Sequence, residues 1–214
     1  MTKKAIFFDL DGTLTDSGEG IMNCAKLALE HYGLPIPTEA ELRTFVGPPL
    51  HDSFIRFGVP AEEADNAIRI YRSRYIPIGK FENHPYEGIR EVLEKLKALG
   101  HTLYVATSKP EKFAIQILEH FGLSQYFERI CGASTDSSRN KKDQVIEYLL
   151  SLCGNEQPII MVGDTHFDVL GAAVFRIPTI GVTWGYGTRE SMADVGAAAI
   201  VENMEQLYRK ICEI

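Results

Sequence analysis

The chain has 214 residues, room for one large domain or for one domain with a modest insertion. Hydrophobic residues make up 45% and charged residues 24%, ordinary values for a globular protein in water. A net charge of −7 excludes the basic footprint of a nucleic-acid binder and gives no attraction to anionic membranes.

No apolar run approaches the roughly 18 residues that a membrane-spanning helix needs. The first apolar stretch is short and runs into acids, unlike a signal peptide. Cys24, Cys131, Cys153 and Cys212 lie far apart, with no zinc-type spacing among them. Four reduced thiols in a cytoplasmic protein are the expectation.

In chain order, residues 4–8 read as a short buried strand, closed by Gly12-Thr13. From Ser17 to Tyr32 apolar residues recur at spacings of three and four, as on a helix, until Gly33, Pro35 and Pro37 end it. Further helices are expected over 39–46, 50–58 and 61–76, the first two separated by the turn Val46-Gly47-Pro48-Pro49-Leu50. The stretch 17–80 holds no convincing strand.

The rhythm then changes. A helix is expected at 87–99 and a strand at 102–107, then a helix from 110 to 121 with Pro110 near its start, where proline is tolerated. A strand near 129–132, a helix at 141–152, a strand at 158–163 and a helix near 166–175 follow. Strands near 178–182 and 198–201 and a helix at about 204–212 complete the chain. Strands alternating with helices of this length imply crossover units and a parallel sheet. The expected class is therefore α/β, interrupted early by a helical insert.

Three of the apolar strands end in polar chemistry. The first runs into Asp9 and Asp11, the second into Ala106-Thr107-Ser108-Lys109-Pro110, and the third into Gly163-Asp164-Thr165-His166-Phe167-Asp168. Ligands of open parallel sheets sit outside the carboxyl ends of the strands, so neighbouring strands would merge these ends into one site. If the first strand extends through Asp11, both its acids point to one face. Such carboxylates repel unless a cation or a shared proton intervenes. Asp164 and Asp168 add two more acids, and a set without imidazole or thiolate suits a hard cation, Mg2+ first, which usually accompanies phosphate. Thr107 and Ser108 offer hydroxyls to a phosphate, Lys141 and Lys142 offer charge, and Gly12 allows tight backbone geometry beside the acids. There is no phosphate-binding G-x-x-x-x-G-K-[ST], no G-x-G-x-x-G and no G-x-S-x-G.

Four motifs in fixed order, spanning residues 9–168, resemble those of the haloacid dehalogenase-like hydrolases: "DLDGTLTD", "VATSKP", a lysine near 142, and "VGDTHFD". The branch that the chain resembles most contains phosphoglycolate phosphatases and bacterial 5′-nucleotidases, on the strength of the early helical insert, its "GPPL" turn and "IGVTWGYGT" near the end. The resemblance implies a Rossmann-like parallel-sheet core of residues 1–15 and 82–214 with an inserted all-helical cap, 16–81. It implies Asp9 as nucleophile, Asp11 as general acid and then base, and Thr107 as a phosphoryl hydrogen-bond donor, with Ser108 the second choice. Lys142 would neutralise phosphoryl charge; the sequence "NKKDQVI" leaves Lys141 open. Magnesium would be held by Asp9, Asp164 and the backbone carbonyl of Asp11, with Asp168 as an outer or orienting group. Arg43 and the Gly47 turn are the candidate substrate contacts of the cap. Trp184 and Tyr186 are expected to pack, with a place beside the leaving group as the alternative.

The implied activity is magnesium-dependent hydrolysis of a small phosphomonoester, phosphoglycolate or a nucleoside monophosphate first. The alternatives are a sugar-phosphate phosphomutase and a catalytically silent phosphate-binding module. A small phosphorylated metabolite is the expected partner, with no nucleic acid and no membrane, and nothing in the sequence fixes the oligomeric state.

Overall fold

The computed structural model describes residues 2–134, 138–153 and 158–214. The chain begins with strand β1 (Ala5–Phe8) and a two-residue strand β2 (Thr15–Asp16), followed by helices α1 (Gly18–His31), α2 (Glu39–Arg43), α3 (Leu50–Arg56) and α4 (Ala64–Tyr75). A second two-residue strand, β3 (His84–Pro85), precedes α5 (Ile89–Ala98), β4 (Thr102–Pro110), α6 (Glu111–His120) and β5 (Arg129–Ala133). Then come α7 (Lys142–Cys153), β6 (Ile159–Gly163), α8 (His166–Ala173), β7 (Thr179–Val182), α9 (Arg189–Asp194), β8 (Ala199–Val201) and α10 (Met204–Glu213). Its contacts divide into two units: Met1–Thr15 with Pro85–Ile214, and Asp16–His84.

The first unit is an α/β fold around a six-stranded sheet in the order β5-β4-β1-β6-β7-β8, with every pairing parallel. The side-chain alternation of each strand assigns its residues to two cores. Ile6 and Phe8 of β1, Leu103 and Val105 of β4, and Ile160 and Val162 of β6 pack with α5, α6 and α10 residues such as Leu93, Ile117 and Leu207. Ala5, Phe7, Tyr104, Ala106 and Met161 lie on the opposite face with Val145, Ile146 and Leu149 of α7 and Ala172 of α8. Both faces of the sheet are therefore covered, which is why these strands read as unbroken apolar runs rather than as an alternation.

The helical unit has its own aromatic core. Phe45 stacks on Phe57 with ring centroids 4.9 Å apart and meets Phe54 edge-on at 5.2 Å, and Tyr71 stacks on Tyr75 at 5.3 Å. Thr38 and Glu41 form a reciprocal capping box that starts α2. Arg74 holds Glu82 through both guanidinium nitrogens at 2.5 and 2.7 Å. Gly20 lies so close to Gly79 that a methyl group on it would strike the Gly79 carbonyl.

Several boundaries differ from those read in sequence. The helix expected over 39–46 stops at Arg43, because Thr44 and Phe45 close the last turn onto Glu41 and Leu42. The one expected over 61–76 starts as a 3-10 turn, Ala61–Glu63, behind Pro60. Strand β4 continues to Pro110 rather than ending at 107, through an irregularity between Ala106 and Pro110. Helix α9 and the strands β2 and β3 went unread: two-residue strands carry no periodicity, and α9 is six residues long with a single buried apolar residue, Met192. No helix among the described residues is long and apolar enough to cross a membrane.

Phe54 has no exposed surface and touches both Phe45 and Tyr71. Phe54→Ala should therefore destabilise the helical unit by about 3–5 kcal/mol. Urea unfolding followed by circular dichroism measures it; a loss below about 1 kcal/mol would mean that this aromatic cluster is not tightly packed.

Candidate active site

The three strands with polar carboxyl ends are neighbours. Strand β1 lies between β4 and β6, with Phe8 level with Val105 on one side and Val162 on the other. The segments that follow β1 and β6 bring Asp9 and Asp164, and the irregular part of β4 brings Thr107, to one place.

Asp9, Asp164 and Asp168 each bring a carboxylate oxygen into a group whose members all lie within 4.8 Å of one another. Asp164 and Asp168 are fully buried. One ammonium sits among them. Lys142, at the start of α7, places Nζ 2.9 Å from Asp9 Oδ1 and 2.8 Å from Asp168 Oδ1. It also donates to the Ala106 carbonyl at 3.0 Å. One hydrogen bond and two ion-pair contacts thus fix the position of the ammonium. The side chain of Lys142 is buried, whereas Lys141 is exposed.

The first acid after β1 and the second go different ways. Strand β1 ends at Phe8, so Asp9 and Asp11 do not continue one pleated face as an extended strand would have them. Gly12 adopts φ +81°, and the Gly12 and Leu14 amides close a tight loop onto Thr15 and Leu10. Asp9 joins the cluster with Lys142. Asp11 turns to Lys109, whose Nζ lies 2.6 Å from Asp11 Oδ2.

Asp164 is clasped by a loop. The Tyr186 amide donates to Asp164 Oδ2 at 2.7 Å, and Thr13 Oγ1 donates to Oδ1 at 3.3 Å. A methyl group on Gly12 or Gly185 would fall on the Asp164 carboxylate, and one on Gly187 would fall on its carbonyl. Asp168 caps α8 with Thr165, whose amide and hydroxyl both donate to Asp168 Oδ2, at 3.0 and 2.9 Å. Gly163 and Gly171 leave room for Asp168 and Lys142 respectively.

Burial governs the charges here. It raises the Asp9 carboxyl from the ordinary 3.8 to about 6; the Lys142 ammonium opposes the rise, the Asp168 charge adds to it, and hydrogen bonds from Lys142 and Thr107 oppose it. Burial first, then the Asp168 and Asp9 charges, push Asp164 well above the usual carboxylate range. Burial also works against the charged form of Lys142, but the Asp168 and Asp9 carboxylates outweigh it and hold the ammonium above its usual value. Three carboxylates thus face one ammonium. Asp9 Oδ1 and Asp168 Oδ1 are buried with no well-formed hydrogen bond, although the ammonium lies beside both as an ion-pair partner. An all-oxygen donor set, short of positive charge, fits a hard divalent cation.

Of the residues singled out in sequence, Asp9, Thr107, Lys142, Asp164 and Asp168 come together, with Thr107 fully buried beside Asp9. Asp11 stands next to them on its own lysine, and Ser108 is half-buried on the irregular part of β4. Arg43 ends α2 in the helical unit, and Gly47, at φ +101°, makes the turn before Pro48. His166 is half-buried and lies against Phe167 with the rings tilted 36° and their centroids 4.0 Å apart. Trp184 does pack, donating Nε1–H to the Thr13 carbonyl at 3.2 Å. Sequence reasoning missed Lys109 and the clasp formed by Gly185, Tyr186 and Gly187. A lysine two residues past a strand-end threonine, and glycines two apart after an apolar strand, were the available signals.

The charge pattern makes a testable demand on stability. A group whose pKa is raised by folding stabilises the protein below its unfolded value and loses that contribution as pH rises through the folded value. For Asp9 that window runs from about pH 4 to 7, and the loss is on the order of 3 kcal/mol. In chelator, Asp9→Asn should therefore gain stability relative to the unaltered chain as pH rises from 4.5 to 7. Urea midpoints of both proteins at each pH measure this; a difference independent of pH would show that Asp9 titrates normally.

Comparison with known proteins identifies the family and the fold. The family model described as "Haloacid dehalogenase-like hydrolase" matches residues 6–182. A protein of Pseudomonas aeruginosa named 5'-nucleotidase is 41% identical over 189 residues, covering 87% of this chain and 86% of that one. A Mycobacterium tuberculosis protein named tyrosine-protein kinase PtkA is 44% identical over 198 residues, 92% of this chain and 67% of that one. A crystal structure of a predicted phosphatase from Clostridium acetobutylicum superposes with a TM-score of 0.94 at 42% identity, covering 100% of both chains.

Proposed function

The chain belongs to the haloacid dehalogenase-like hydrolase family and is an enzyme of that fold, and from this premise we propose that it is a magnesium-dependent phosphatase of small phosphomonoesters that works through an aspartyl-phosphate on Asp9. The observation that carries the reading is the setting of Asp9: a carboxylate at the mouth of the central strand, beside Lys142 and Thr107, in a three-acid cluster short of positive charge.

An oxygen of the Asp9 carboxylate attacks phosphorus, and the bond from phosphorus to the leaving oxygen breaks. Asp11 gives that oxygen its proton, and the alcohol departs. Asp11, now a carboxylate, takes a proton from water as the water attacks the phosphoryl group. The bond to Asp9 breaks, inorganic phosphate is released, and both acids return to their starting states. Lys142 and Thr107 hold the phosphoryl oxygens throughout. The Asp9 and Asp164 carboxylates and the Asp11 carbonyl would hold magnesium, with Asp168 orienting Lys142 and the metal's outer shell. When bound, the metal supplies charge that offsets the repulsion between an anionic nucleophile and an anionic phosphate.

The helical unit is assigned the role of a cap, with Arg43 and the Gly47 turn as substrate contacts. Nucleoside monophosphates head the substrates, supported by the relative named 5'-nucleotidase, and phosphoglycolate follows. A reducing cytoplasm suits four free cysteines, two of them buried.

The test is release of inorganic phosphate from nucleoside monophosphates, phosphoglycolate, sugar phosphates, pyrophosphate and ATP, with magnesium and with chelator. Release should require magnesium, and Asp9→Asn should lower it by at least about 10³-fold. A phosphoryl group passed to a second substrate molecule with little free phosphate would replace hydrolysis by the mutase reading. No turnover by folded, magnesium-loaded protein would overturn both.

A further inference from the structure

Lys109 has no part in the roles assigned above, yet it is among the most buried lysines of the chain. Its side chain is 5% exposed, as low as that of Lys142. Burying an ammonium requires a partner of opposite charge. For Lys142 the partners are Asp9 and Asp168. Lys109 is paired with Asp11, at 2.6 Å, among its contacts. Each acid that follows β1 therefore has an ammonium of its own.

The backbone is shaped to bring Lys109 there. The register of β4 against β5 shifts between Ala106 and Pro110, an irregularity that re-aims the side chains of 107–109. The Lys109 amide closes onto Thr107 Oγ1 at 3.2 Å, tying the lysine to the threonine beside Asp9. Gly132 of β5 lies against the Lys109 carbonyl, where a side chain would collide.

The contact also distinguishes the two oxygens of Asp11. Oδ2 accepts from Lys109. Oδ1 is buried and has no hydrogen-bond partner. We propose that Lys109 is a positioning residue for the proton-transfer step: by holding Oδ2 it turns Oδ1 toward the reacting ester, and it meets the carboxylate charge left on Asp11 when the proton departs. This deepens the phosphatase reading and depends on it. Lys109 acts through Asp11, so its importance should follow how much the leaving group needs a proton. An alkyl alkoxide needs one; p-nitrophenolate does not.

The experiment compares an alkyl phosphate, the best substrate of the panel above, with p-nitrophenyl phosphate. It uses the unaltered enzyme, Lys109→Met, Asp11→Asn and the double variant, all with magnesium. Lys109→Met should lower kcat/KM on the alkyl ester about 10²-fold, and on the aryl ester at least 10-fold less than that. Asp11→Asn should show the same skew toward the alkyl ester. In the Asp11→Asn background, Lys109→Met should add less than about 3-fold, because its effect runs through the missing acid. Lys109→Arg should restore part of the alkyl activity by keeping a cation at Oδ2. Equal losses on both esters, or full additivity with Asp11→Asn, would overturn the inference and leave the phosphatase reading standing. Should Lys109→Met fail to fold, the ester comparison on Lys109→Arg decides: an unskewed loss there overturns it too. An unaltered enzyme that hydrolyses neither ester would sink the phosphatase reading and this inference with it.

Discussion

One ammonium among three carboxylates is the constraint on which the rest of the core unit turns. Lys142 touches Asp9, Asp168 and the Ala106 carbonyl, so a single atom ties the end of β1 to β4 and to the first turn of α8. Without it, three acids within 4.8 Å would repel in a buried setting where screening by water is weak. With it, one positive charge still faces three groups able to carry negative charge, and burial first, with the neighbouring acids adding to it, raises Asp9 and Asp164 toward the neutral form. A site balanced by its own side chains would be a structural ion-pair network. One left short of positive charge is suited to a cation and to a phosphoryl group between them.

The sheet makes this imbalance tolerable. Strand β1 is hydrogen-bonded on both sides and its side chains pack into cores on both faces. The apolar burial of Ile6, Phe7, Phe8 and their neighbours is large enough to hold a few unfavourable charges at the strand ends. Glycines then supply closeness. Gly12, Gly163, Gly171, Gly185 and Gly187 each stand where a methyl group would collide with Asp164, Asp168 or Lys142 or their backbone. The loop 185–187 can thus wrap a carboxylate and offer it the amide of Tyr186. Much of the geometry of the acids is set by what these five positions lack.

Most of this fold and a good part of the site were legible in the sequence, because both depend on local pattern. The strands at 102–107 and 158–163 and helices such as that at 87–99 show themselves by periodicity, and the crossover rhythm implies the parallel sheet. That the three polar strand ends share one site followed from a rule about parallel sheets, and the order β4-β1-β6 has them side by side. What escaped was non-local. Asp9 and Asp11 read as a pair on one face because two residues of strand would put them there. The chain leaves β1 at Phe8 and turns at Gly12, so the pair divides between two lysines 33 residues apart in sequence. Nothing in "SKP" says that its lysine is buried; that depends on an irregularity in β4, which carries no periodicity of its own. The clasp on Asp164 comes from 22 residues further on and was read as packing, which Trp184 does and Tyr186, through its backbone, exceeds.

The division of the two acids is a matter of backbone geometry. In the reading proposed above, the acid that attacks and the acid that moves a proton do different work, and the structure gives each its own lysine. Here Asp9 sits with Lys142, Thr107 and two further acids, while Asp11 sits with Lys109 and keeps one oxygen without a hydrogen bond. The tight turn at Gly12 and the irregularity in β4 are the two local distortions that make the separation possible. Each interrupts an otherwise regular strand end, and each does so where a regular strand would have left the two carboxylates in the same field.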